Sequence, residues 1–302
     1  MAALPLDGGP VLVTGGAGQL ASCLVACGGP RIRRVGRPEF DFDRPGTISE
    51  TFRRIEPAAV VNAAAWTAVD AAETDPEAAT RANRDGPALL ARLCDEAGIP
   101  LIQVSTDYVF DGDKGEPYVE TDPTSPTGVY GRTKAEGEQA ALAACPRTIV
   151  LRTSWVYSST GKNFVRTMLN AGAKNLTLKV VGDQCGAPTS ADDLAVAIID
   201  ILTLIETGGW KDSYAGIYHA AGTGETTWHG LAVAALEAAA RHGRRMPEVI
   251  AIRTQDWPTP ARRPVDSRLD CDKLERVFGV RLPAWRRSVA TTVDRLLEMA
   301  AS

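Results

Sequence analysis

Histidine is scarce in this 302-residue chain, and its cysteines are not arranged as metal ligands. The three histidines (His219, His229, His242) and six cysteines (Cys23, Cys27, Cys94, Cys145, Cys185, Cys271) include no C-x-x-C pair. No zinc or other metal site is therefore expected, and the cysteines read as core thiols of a reducing cytoplasm. The opening stretch, MAALPLDGGPVLVTGG, has neither a basic segment nor a sustained apolar run, so no signal peptide is expected. The most apolar later run, DLAVAIIDILTLIE at 193–206, is broken by Asp200 and is too short to span a bilayer. It reads as a packed helix with no membrane partner. A net charge of only -4 argues against a nucleic-acid partner. There is no internal repeat and no low-complexity linker. What remains is a chain with 44% hydrophobic and 23% charged residues, enough apolar mass for a sizeable core.

Short apolar runs alternate with helical patterns through the first half. VLVT (11–14), AVVNAAA (59–65), LIQVS (101–105) and TIVLRTSW (148–155) read as buried strands. DPEAATRANRDGPALLARLCDEAG, between the second and third of these, reads as a helix with Asp75 as N-cap and Pro76 at its first position. This order predicts an α/β fold, a Rossmann-type doubly wound parallel sheet, with a smaller interleaved α/β region for substrate. Residues 1–170 with parts of 190–225 are assigned to the first, and 175–190 with 226–302 to the second. Helices are expected over 162–172, 190–206, 227–242 and 284–299. DQCGAPTS and DWPTPARRPVDSRL read as ordered loops.

Three stretches carry chemistry. In TGGAGQLA (14–21), Gly15 and Gly18 follow a strand and open a helix, the context in which a dinucleotide's diphosphate meets free backbone N–H groups. The third glycine position holds Ala21. At the end of the second strand Gly36-Arg37 stands with no carboxylate, which favours a 2′-phosphate and hence NADPH; Arg33 and Arg34 compete for that role, and solvated surface arginines are the plain alternative. Asp41 and Phe42 follow where a loop could wrap an adenine, and small Ala63, Ala64 and Ala65 would let a cofactor lie against a strand end. STDYVFDG (105–112) places Ser105 and Thr106 at a strand's carboxyl end, their side chains on opposite faces. In VYGRTK (129–134), Tyr130 and Lys134 are four apart and share a helix face. An ammonium there favours phenolate, lowers the tyrosine pKa and lets the pair exchange a proton, so that Tyr130 protonates a ketone receiving hydride.

The Gly-rich turn, strand-end Thr and Y-x-x-x-K resemble the extended short-chain dehydrogenase/reductase superfamily. The words VVNAAAWTAVDAAE, VSTDYVFDG, VYGRTKAEGE, LRTSWVY, NFVRTM, DQCGAPT, YHAAG, TTWHG and PTPARRPVDSRLD, in that order, resemble its dTDP-4-dehydrorhamnose reductase family. The resemblance implies reduction of a dTDP-4-keto sugar by NADPH, with NADH as a further donor, in the cytoplasm. It implies Tyr130 as proton donor, Lys134 on the nicotinamide ribose, Thr106 on the reacting oxygen and Trp155 beside the deoxysugar. Gly15, Gly16, Ala17, Gly18, Gln19 and Leu20 fall in its dinucleotide turn, Asp41 and Phe42 on its adenine side, and Ala65, Trp66 and Thr67 in another cofactor segment. Asp107 joins the substrate contacts, and Arg262 and Arg263 suit the diphosphate, with solvated loop charges as the alternative. Dehydratases of the superfamily carry Asp-Glu after the strand-end Thr, where this chain has Asp107-Tyr108. Some members bind magnesium at a dimer interface through glutamates; Cys23 stands at one such position, so that metal and that dimer are not carried over, and a homodimer stays open. Trp66 replaces the His or Tyr common there.

Overall fold

A computed structural model describes Leu4 and residues 8–301, so the first part of the stretch read for a leader, residues 1–3 and 5–7, lies outside the described residues. Six strands, β1 (Val11–Thr14), β2 (Ile32–Arg34), β3 (Ala59–Asn62), β4 (Leu101–Thr106), β5 (Thr148–Thr153) and β6 (Gly216–His219), form one parallel sheet in the order β6-β5-β4-β3-β1-β2. Every residue of β1, β3 and β5 is buried, as continuous apolar runs in a parallel sheet require. Helices α1 (Gln19–Gly28), α2 (Pro45–Ile55), α3 (Gly86–Glu96), α4 (Val129–Ala144), α5 (Phe164–Lys174), α6 (Ala191–Gly208), α7 (Trp228–Ala240) and α8 (Trp285–Ala301) follow in chain order. One face of the sheet packs on α1 and α6 through Leu24, Ile198 and Leu202, the other on α2 and α3 through Ile48, Phe52 and Leu90. The apolar 193–206 run lies within α6, and among the described residues no helix is long and apolar enough to cross a membrane.

Two expected strands end early. The chain leaves the sheet after Asn62 and after Thr153, which frees Ala63–Ala65 and Ser154–Trp155 to border a cleft. The helix expected from residue 75 is broken. Asp75 caps it, accepting from the Ala78 N–H at 3.1 Å, but Pro76–Thr80 gives way to a π turn at Arg81–Asp85 before α3 resumes. Beyond the main sheet lie short pairs: Thr177–Val181 with Glu248–Ile252 and Val156–Tyr157 with Thr189–Ser190, both parallel, and Cys185–Gly186 antiparallel to Thr226–Thr227.

α4 is held from several directions. Its N-cap, Gly128, offers no side chain, so Glu73 from the helix Val69–Thr74 accepts the Val129 N–H at 2.8 Å. A Cβ on Gly131 would sit 2.0 Å from the Tyr108 carbonyl oxygen, and one on Gly137 1.9 Å from that of Asn83. Toward its middle, Glu138 forms a fully buried ion pair with Arg152 of β5, with Nη2 2.7 Å from Oε2. Removing one partner of such a pair strands the other charge in the interior. E138Q should therefore lose about 3–5 kcal/mol of stability in urea denaturation, whereas E138M/R152M should lose much less.

Candidate active site

A cleft of about 980 Å³ opens at the carboxyl ends of the strands, spanning the point where the chain reverses its direction across the sheet between β1 and β3. On one side the Gly15–Leu20 turn lines it. Gly15 has φ 108° and a Cβ there would approach the Ala63 oxygen to 2.9 Å; both the left-handed backbone and the contact demand glycine. Gly18 precedes α1 with no side-chain cap and no acidic residue in the first turn, so the helix N–H groups face the cleft unshared with a carboxylate. The turn is pinned by Gly16 N–H donating to the Val35 oxygen at 2.9 Å. Below it Thr14 donates to Asn62 at 2.5 Å and Asn62 to Gln103 at 2.8 Å, a buried rung across β1, β3 and β4. The Ala64 N–H donates to Thr14 Oγ1 at 3.1 Å, which fixes the Ala63–Ala65 exit.

Arg37, Phe42, Ala65, Trp66 and Thr67 border the same cleft, as do Thr106, Asp107, Tyr130, Lys134 and Trp155. Asp41, Arg262 and Arg263 do not, and neither do Arg33 and Arg34. Asp41 is buried beside it and holds Arg37 Nε at 3.2 Å and Arg44 Nε at 3.3 Å. Arg263 is bound through both Nη atoms to Asp70 at 2.8 Å, and Arg262 is exposed, 3.6 Å from Asp113.

Tyr130 and Lys134 do lie together on α4, but not as the charge argument requires. The Lys134 Nζ donates to the Val104 carbonyl at 2.6 Å. Burial pushes the Tyr130 phenol up to about 12, against a hydrogen bond with Thr106 that pulls it down; the ammonium does not govern it. The expectation of a lowered tyrosine pKa is thus corrected, because desolvation outweighs the charge. Burial pulls Lys134 down to about 8, with Glu138 opposing. Thr106 donates to Asp107 Oδ1 at 3.1 Å and accepts the Tyr108 N–H at 3.2 Å. Ser105 also borders the cleft. Burial raises Asp107 to about 6, against hydrogen bonds from Ser267 and Thr106. At neutral pH the cleft therefore presents a neutral phenol, an ammonium and a mostly ionised carboxylate. Among the described residues no three His, Cys, Asp or Glu side chains converge as metal ligands.

Several positioning groups were not singled out from the sequence. Asn83, buried in the π turn, accepts the Trp66 N–H at 2.8 Å and donates to the Trp66 oxygen at 3.2 Å and to Thr133 Oγ1 at 3.1 Å. It ties the Trp66 segment to the helix of Tyr130 and Lys134. Gln19, already placed in the dinucleotide turn, accepts from Ser158 and Asn163, both at 3.0 Å, and Trp228, which had no assigned role, also borders the cleft. Asn83 had no local signal, since it stands among Arg81, Arg84 and Asp85 in a charged stretch.

The sequence model of the family described as RmlD substrate binding domain matches residues 9–298. The chain belongs to that family. It is 46% identical over 287 residues, 94% of this chain and 97% of the other, to a protein of Sinorhizobium fredii named dTDP-4-dehydrorhamnose reductase. A Streptomyces antibioticus protein named probable dTDP-4,6-dihydroxy-2-methyloxan-3-one 4-ketoreductase is 40% identical, covering 95% of each chain. The crystal structure of a Bacillus anthracis dTDP-4-dehydrorhamnose reductase in complex with NADP superposes with a TM-score of 0.86 at 30% identity, over 94% of this chain and 98% of that one. In this chain, N83A should leave the Trp66 amide without its acceptor. Hydrogen–deuterium exchange at Trp66 and across α4 should accelerate by at least about tenfold, equivalent to the roughly 1–3 kcal/mol cost of an unmatched buried group.

Proposed function

We propose that the chain reduces the C4 ketone of dTDP-4-dehydro-β-L-rhamnose to dTDP-β-L-rhamnose with NADPH. The observation that carries this reading is the meeting of Tyr130, Lys134 and Thr106 in the cleft that the Gly15–Leu20 turn opens. The turn fits a dinucleotide: side-chain-free Gly15 and Gly16 leave a cradle, and uncapped α1 N–H groups suit a diphosphate. A bound nicotinamide supplies hydride. Tyr130 gives its phenolic proton to the developing alkoxide, a transfer for which a neutral phenol is the required form. Lys134 would hold the ribose through the protons that Val104 does not take. Thr106, turning its one hydroxyl proton away from Asp107, would donate it to the reacting oxygen.

Arg37 on the cleft rim supports a 2′-phosphate, although Asp41 and Asp43 each hold it at 3.2 Å and a phosphate must compete with them. The NADP complex of the Bacillus relative supports the same preference; acceptance of NADH is part of the proposal. Residues 175–190 and 226–302 form the sugar-nucleotide region, and exposed Arg262 is freer than Arg263 to meet a diphosphate. A cytoplasmic location and a homodimer complete the reading. A second reading, reduction of another dTDP-4-keto-deoxysugar, is favoured by the Streptomyces relative and would use the same chemistry.

Nicotinamide absorbance during incubation with dTDP-4-dehydro-β-L-rhamnose, with NADPH and NADH in parallel, tests the reaction; no oxidation with either refutes it. Y130F should lower turnover by about 10²–10⁴-fold while NADPH affinity stays near wild type. The lowered Lys134 pKa implies that its charge is present below about 8 and lost above it. The free-enzyme profile, kcat/KM against pH, should accordingly fall as pH rises through about 8, and K134M should lack that limb.

A further inference from the structure

Trp155 is the one residue of the cleft, glycines aside, with a left-handed backbone, φ 47°. A bulky side chain in that region costs about 1–3 kcal/mol and persists only where its surroundings impose it. Two contacts do so here. Its indole stacks on that of Trp228, with centroids 3.7 Å apart and planes 9° from parallel. Gly186 lies against the same ring, so closely that a Cβ would stand 2.6 Å from Trp155 Cε2. Trp228 is held in turn. Its Nε1–H donates to Gln184 at 3.1 Å, Gln184 donates to Thr254 at 3.0 Å, Thr254 donates to Asp183 at 2.7 Å, and Phe164 packs on the ring at 4.7 Å.

The sheet order decides which end of the cleft this pair serves. β5, which leads into Trp155, lies beyond β4 and its Thr106 when counted from the Gly15 turn on β1. Trp155 therefore leaves the sheet one strand beyond Thr106, with Trp228 stacked on it. Both are half-buried and border the cleft. With the Trp228 N–H consumed by Gln184, its indole offers the cleft carbon and no donor.

We propose that Trp228 is a specificity-determining residue, forming with Trp155 an apolar wall that receives the carbon face of a nucleotide-linked deoxysugar. The inference rests on the reduction proposed above and extends it to a residue with no assigned part. A deoxysugar presents C–H groups where an ordinary hexose presents hydroxyls, and an indole whose N–H is committed, as that of Trp228 is, cannot satisfy a hydroxyl.

W228L retains apolar bulk and loses the stack; G186A keeps Trp228 and pushes Trp155 off its seat. Steady-state rates are measured at saturating NADPH with dTDP-4-dehydro-β-L-rhamnose varied, beside NADPH titrations and far-ultraviolet circular dichroism for the exciton couplet of stacked indoles. Both variants should raise KM for the sugar nucleotide by about twofold to tenfold, the range set by one aromatic stacking contact. Turnover and NADPH affinity should stay near wild type. The couplet should vanish in W228L, and W228F should restore most of the KM. An unchanged KM in either folded variant, or NADPH affinity weakening in step with KM, overturns the proposal. If W228L fails to fold, G186A decides alone. Wild-type protein that does not oxidise NADPH sinks the reduction and the wall together, whereas wild-type turnover with unaltered KM in the variants sinks the wall alone.

Discussion

The cleft stands on one buried rung. Thr14 and Asn62 end β1 and β3, and Gln103 lies in the middle of β4, where a fully covered parallel sheet would ordinarily carry apolar side chains. Polar groups there must be paired or they cost the fold. Asn62 meets the condition from both sides, accepting from Thr14 and donating to Gln103. The Thr14 hydroxyl also accepts the Ala64 N–H, so the rung governs where the chain leaves β3. Gly15 then meets the Ala63 carbonyl at a distance that admits no side chain. Strand register, turn conformation and cleft floor are set by the same three residues.

The second wall depends on α4, and its attachments are of a different kind. α4 has little amphipathic character to seat it: its buried residues include Gly131, Thr133, Lys134, Gly137 and Glu138. Close backbone approach at the two glycines, the Glu73 cap, the Asn83 bridge and the Glu138–Arg152 pair replace side-chain packing. Each attachment is directional, whereas packing of interchangeable aliphatic groups is not. A helix that must present two polar side chains at fixed positions is better held this way.

How much of this was legible follows from which forces write themselves into local sequence. The strands were, because burial on both faces leaves runs such as VLVT and AVVN; their early ends were not, because the rung that stops β3 joins residues 48 and 41 positions apart. The Asp75 cap was legible from the Asp-Pro pair, but the π turn at Arg81–Asp85 answers to α4 packing against Asn83 and leaves no local mark. Within the cleft, the Gly15 turn, Thr106, Tyr130 and Lys134 were placed by motif. Asp41 was placed as a cofactor contact, and the structure puts its carboxylate on two arginines beside the cleft. Trp228 appeared in the word TTWHG without a part to play, since its partners Trp155, Gln184 and Phe164 are all distant in sequence.

The spacing of Tyr130 and Lys134 first suggested that one charge makes the other group acidic. Their environment gives a different result. In water a tyrosine and a lysine titrate at about 10 and 10.4, almost together. Burial of both drives them apart, since it opposes phenolate and ammonium alike: Tyr130 rises to about 12 and Lys134 falls to about 8. Lys134 becomes the stronger acid, and a phenolate at Tyr130 the stronger base. At neutral pH both groups hold their protons. In the reaction proposed above, a Tyr130 that had given up its proton would regain one downhill from an ammonium, and Glu138 favours the charged form of that ammonium. The dry surroundings that make Tyr130 a weak acid at rest would also favour its return to the neutral phenol in that reaction.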